Sequence, residues 1–138
     1  MSDSECLVRA YYAAFNAGDV EAFLALLTED VVHDINQGGR EIGRDAFRRF
    51  LGAMNRCYRE RIGDLVVLSE ASGRHAAATF TVHGTYLATD PGLPHGTPPA
   101  RGQRYTLAAG AFFTLRDGRV SFIANHYNLS EWLMQISG

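Results

Sequence analysis

The side chains able to do chemistry in this chain are few, and their spacing excludes most mechanisms. All 13 basic residues are Arg, which rules out a Schiff-base lysine and a phosphate-cradling lysine. The five His residues form no His-x-His or His-Glu-x-x-His spacing, so no metal site is expected. Ser69, Ser72, Ser121 and Ser130 lack the Gly-x-Ser-x-Gly frame of a serine hydrolase. Cys6 and Cys57 stand far apart, outside any Cys-x-x-Cys, and read as two buried thiols. What remains is carboxylate, phenol and amide chemistry. A carboxylate among apolar groups is disfavoured as an anion, which raises its pKa toward that of a useful base. Tyr and Asn can donate to an oxygen on which enolate charge develops. Such a set suits proton abstraction beside a carbonyl, and no cofactor is expected.

These groups need elements to hold them. Ser2-x-x-Glu5 reads as a capping box for a first helix with Leu7, Val8, Tyr11, Ala14 and Phe15 at helical spacing. Gly18 suits a left-handed stop, and Asp19 caps a second helix carrying Val20, Phe23, Leu24 and Leu27. Val31 to Ile35 is a short strand, followed by a turn at Gln37-Gly38-Gly39-Arg40. Gly43-Arg44-Asp45 opens a third helix with Phe47, Phe50, Leu51 and Met54 on its apolar face. From about residue 60 the pattern turns to β. Strands are expected at Ile62 to Leu68, Ala76 to Leu87, Gln103 to Arg116 and Arg119 to Tyr127. The last two join through an Asp117-Gly118 hairpin turn. All four prolines fall between residues 91 and 99, which marks a stiff loop at the rim. Leu129 to Ile136 reads as a short closing helix.

Helices first and long hairpins afterwards give an α+β chain, residues 1–138 as one domain. Strands of about 12 residues span roughly 40 Å and curl. Three N-terminal helices packed on a curved antiparallel sheet then enclose a cone-shaped apolar pocket. A net charge of −2 gives no reason to expect nucleic acid. No apolar run approaches a membrane span, and no secretory signal is visible, so a cytoplasmic location is expected.

The element order, with Tyr11-x-x-x-Phe15-Asn16-Ala17-Gly18-Asp19 and Glu29-Asp30-Val31-Val32-x-Asp34, resembles the NTF2-like (cystatin-like) superfamily. Within it, the chain resembles ketosteroid isomerase-related and SnoaL-like proteins. His33-Asp34-Ile35-Asn36-Gln37-Gly38, Asn55-Arg56-Cys57-Tyr58 and His126-Tyr127-Asn128-Leu129-x-x-Trp132 carry that likeness. It implies Asp34 as a base and Tyr11 as a donor. The position of the second, protonated Asp donor falls at Gly110, which has no side chain, so half of the isomerase oxyanion hole is missing. Members of the superfamily commonly dimerise through the outer face of the sheet, so a homodimer is implied.

With Asp34 pointing inward, strand alternation sends Val32 and Asn36 inward too. The catalytic set is then Asp34, Tyr11 and Asn36. Phe15, Phe50, Met54, Phe80, Val82, Tyr86 and Phe112 are expected to wall the pocket, with Asn125, Tyr127 and Trp132 as further ligand contacts. His83 and His126 are assigned to the outer face, as is His33 unless a bulge turns it. The expected function is an isomerase- or cyclase-type proton transfer on an apolar carbonyl compound. The alternatives are a non-catalytic binding module for an apolar ligand, or a limonene-epoxide-hydrolase-like enzyme. The last needs a second pocket carboxylate and an inward Arg, neither of which the alternation supplies.

Overall fold

The structure, a computed structural model describing residues 1–138, runs α1 (Asp3–Ala17), α2 (Val20–Ala25), β1 (Leu27–Asp34), β2 (Arg40–Ile42), α3 (Arg44–Cys57), β3 (Tyr58–Ser69), β4 (His75–Tyr86), β5 (Arg104–Arg116), β6 (Arg119–Tyr127) and α4 (Leu129–Ser137). The caps follow the sequence. The Ser2 side chain accepts from the Glu5 N–H, Gly18 sits in the left-handed region at φ 69°, and Asp19 accepts from the Ala22 N–H.

The six strands form one sheet in the order β2-β1-β6-β5-β4-β3. All pairs are antiparallel except β1 with β6, which run parallel. The short strand β2 was not anticipated. Its three residues carry no alternation long enough to read, and it exists by pairing with β1 at Asp34↔Arg40. The β3 register shifts between Gly63 and Val66, where Asp64 takes a φ of 52°. Such a bulge sharpens the twist and lets the sheet wrap α1. Asn16 fixes the contact: its amide donates to the Ile62 carbonyl at 2.9 Å and its oxygen accepts from the Ile62 N–H at 2.8 Å.

The core lies between helices and sheet. Tyr11, Tyr12, Phe23 and Phe113 make an aromatic block within it. The last helix, α4, packs on β5, with Trp132 and Ile136 buried. The Gln103 amide bridges the Pro99 and Ile136 carbonyls at 3.0 Å each, so the proline-rich loop and α4 are tied together. No helix is long and apolar enough to cross a membrane. Of the two cysteines, Cys57 is buried and Cys6 is exposed on the outer side of α1, which corrects the expectation of two buried thiols.

Candidate functional site

Helices and sheet enclose a cavity of about 270 Å³, and 18 of its 25 lining residues are hydrophobic. Tyr11 and Phe15 of α1, Phe50 and Met54 of α3, and Phe80 and Val82 of β4 line it. Asn36, Asn125, Tyr127 and Trp132 join them.

Three assignments are corrected. Asp34 is not in the cavity. Its side chain is one-third exposed and accepts from Nε and Nη2 of Arg40, at 2.7 and 3.0 Å. The Arg40 guanidinium holds its carboxyl below the usual range. The alternation of β1 is anchored by Val31, which is fully buried, so the inward residue next in line is His33 and Asp34 faces out. Asn36 still reaches the cavity because the chain leaves the strand at Asp34, and both Ile35 and Asn36 line it. Phe112 is 58% exposed on the outer face, edge-on to His126, while Phe113 is buried. Tyr86 is buried behind the wall, stacked on Tyr58 with its oxygen accepting from the Asp90 N–H at 2.9 Å.

Two carboxyl groups that the sequence reading passed over line the cavity instead: Glu60 and Asp90. Because β3 begins at Tyr58, Glu60 falls on the inward parity with Tyr58 and Ile62. Cross-strand register then builds its surroundings. Glu60 lies opposite Gly84 of β4, and Gly84 lies opposite Tyr105 of β5. With no side chain at 84, the Tyr105 ring lies across β4 and its hydroxyl donates to Glu60 Oε2. A Cβ at position 84 would sit 2.1 Å from the Tyr105 ring. Gly84→Ala is therefore expected to expel the ring and cost about 1–3 kcal/mol, read by urea unfolding, whereas Tyr105→Phe keeps the ring and removes only the hydroxyl.

Burial pushes the Glu60 carboxyl above its ordinary value, and the Tyr105 hydroxyl only partly offsets this. Tyr127 is pushed up by burial and by the nearby Glu60 charge, so its phenol stays protonated. Asp90, from the proline-rich loop, accepts from the Tyr58 hydroxyl at 2.7 Å and from the Gly92 N–H at 2.8 Å.

At the other side of the cavity His33 is 1% exposed and stacks on Phe47 at 4.3 Å. Burial pulls its pKa down to about 4, so the ring is neutral. Its Nε2 lies 3.1 Å from the Asn125 amide nitrogen. With that amide donating, the ring proton sits on Nδ1, which has no partner. Tyr12 Oη, Asn36 Nδ2 and Trp132 Nε1 are also buried without partners. All four belong to residues lining the cavity, and each can donate. Tyr11, the expected donor, lines the same wall, with its phenol pushed up by burial and then by Tyr12.

Residues 8–123 match the SnoaL-like domain family model, and the chain belongs to that family. Two solved structures described as a "putative polyketide cyclase" are similar throughout. One, from Pseudomonas putida KT2440, is 58% identical over 98% of each chain with a TM-score of 0.91. The other, from Xanthomonas campestris, is 52% identical over 98% of this chain and 97% of that one, with a TM-score of 0.92. A structure described as an "LEH-like epoxide hydrolase" of M. tuberculosis shares the fold, with a TM-score of 0.70 at 16% identity over 97% and 89% of the two chains. A search of curated proteins gives no match.

Proposed function

We propose that this SnoaL-like chain is a small-molecule enzyme that moves a proton on a carbonyl compound held in the cone, with Glu60 as the group that takes and returns it. The observation that carries this reading is the Glu60 carboxyl, set in an apolar cavity with one neutral donor and no cation. Burial lifts its pKa toward the working range of a general base. Carbanion chemistry beside a carbonyl also needs donors for the developing oxyanion. The unpartnered Asn36 Nδ2, His33 Nδ1, Trp132 Nε1 and Tyr12 Oη supply more than one choice. A neutral imidazole N–H can polarise a carbonyl without giving up its proton outright.

Asp34, exposed and paired with Arg40, has no part in this mechanism. An epoxide hydrolase reading gains a pair of pocket carboxyls in Glu60 and Asp90 but still lacks an Arg in the lining. A screen of carbonyl compounds for turnover, with Glu60→Gln in parallel, tests the proposal. Unchanged turnover in that variant would reject Glu60. Binding without turnover of any kind would favour the binding-module alternative.

We also propose that two copies pair through the outer face of the sheet. Phe112 stands 58% exposed there beside His126, an apolar group that a second copy would cover. Light scattering at micromolar concentration should give a dimer, and Phe112→Asp should give a monomer. A monomeric parent chain would contradict this.

A further inference from the structure

The lining of the cavity holds two acids and no Arg. Glu60 and Asp90 both line it. Their partners are neutral: the Tyr105 hydroxyl for Glu60, and the Tyr58 hydroxyl and Gly92 N–H for Asp90. None of the 13 Arg residues lines the cavity. His33 is neutral and lies against Phe47, while His126 also borders the cavity, with an exposed ring set edge-on to Phe112. A carboxylate drawn into a dry site without a cation bears a desolvation cost that an arriving cation would relieve.

The rings around these acids suit a cation as well. Trp132 sits with its centroid 5.7 Å from Tyr58, 5.8 Å from Tyr105 and 6.0 Å from Tyr127. Aromatic faces carry negative charge density and attract an ammonium most when it is desolvated. Trp132 is 7% exposed and its buried Nε1 has no hydrogen-bond partner.

We propose that the ligand carries a positively charged nitrogen on an aromatic or apolar body, seated against Glu60 and Asp90 within the walls of Tyr58, Tyr127 and Trp132. This rests on reading the cavity as the ligand site, and it names the substrate class: an amine or protonated nitrogen heterocycle bearing an oxygen acceptor. An anionic substrate would meet two acids and no Arg, and is disfavoured beside them.

Three probes of one shape test it by calorimetry at pH 7.5: 2-(2-naphthyl)ethylamine, 2-(2-naphthyl)ethanol and 2-naphthylacetate. The amine is expected to bind roughly tenfold or more tightly than the alcohol, and the carboxylate weakest. Glu60→Gln and Asp90→Asn should each shrink the amine-to-alcohol ratio, and the double variant should bring it near one, with alcohol affinity kept as the sign of an intact pocket. Parity of alcohol or carboxylate with the amine would overturn the proposal, as would an unchanged ratio in the double variant. Equal binding of all three removes only the charge preference and leaves the proton-transfer reading standing. No binding by any probe at millimolar concentration would overturn both.

Discussion

Replacing Glu60 with Gln is expected to lower turnover by roughly 10²–10⁴-fold, with affinity for neutral ligands changed little. Gln matches the shape and still accepts from the Tyr105 hydroxyl, but it cannot take up a proton. The fold should not suffer. The Glu60 carboxyl is pushed above its ordinary value, so the native chain holds that proton to higher pH than the unfolded chain does. As pH rises through that interval, ionising the buried carboxyl reduces stability. At pH 8 the Gln variant should therefore be at least as stable as the parent chain. A large kinetic loss together with equal or higher stability is a signature that a purely structural role for Glu60 would not produce. Urea unfolding and steady-state kinetics on the same preparations read both.

The second large effect is a pH dependence carried by His33. Its pKa is about 4 in the folded chain against 6.5 for an ordinary imidazole. Below pH 6.5 the unfolded chain takes up a proton that the folded chain refuses until near pH 4. Stability from this group is thus fully present above pH 6.5 and falls as the solution is acidified. Between pH 7 and pH 5 the loss comes to about 2 kcal/mol. His33→Gln keeps a side-chain acceptor for Asn125 but does not titrate. Unfolding free energies of the two proteins should converge by that amount as pH drops from 7 to 5. The remaining titrating groups are common to both and cancel in the comparison. A constant difference across that range would mean that His33 is not held neutral in the core.

The fold was legible because its cues are local. Gly18, Asp19 and the Asp117-Gly118 turn each act within a few residues, and all three adopt the expected geometry. The cavity wall was legible where helical spacing decides the face, as for Phe15, Phe50 and Met54. Strand alternation was less forgiving, since a one-residue error reverses every side chain. It placed Asp34 and Phe112 inside when His33 and Phe113 are the buried neighbours. A resemblance to a family does not decide between neighbouring positions on a strand. The burial of Val31 and the pairing of β1 with β6 do decide, and neither is visible in one strand alone.

Glu60 was missed for a different reason. The expected strand began at Ile62, leaving Glu60 in a charged run, Arg59-Glu60-Arg61, that looks like solvated surface. In the structure Tyr58 starts the strand, so the two Arg residues face out and the acid faces in. The usable signal was the row Glu60–Gly84–Tyr105, which needs register across three strands. Such a row is nonlocal and emerges only once the sheet is assembled. Asp90 belongs to the same category, brought to the cavity by a proline-rich loop tied down through Tyr58 and Tyr86.

The claim on which this account turns is that Glu60 is the carboxyl with the elevated pKa and that Asp34 is not. Side-chain carboxyl carbons of Asp and Glu can be followed by ¹³C NMR through a pH titration, with Glu60→Gln and Asp34→Asn assigning the two signals. The account predicts a Glu60 midpoint above 4.5 and an Asp34 midpoint below 3.8. A Glu60 carboxyl titrating at or below its ordinary value, or an Asp34 carboxyl titrating above its own, would contradict it.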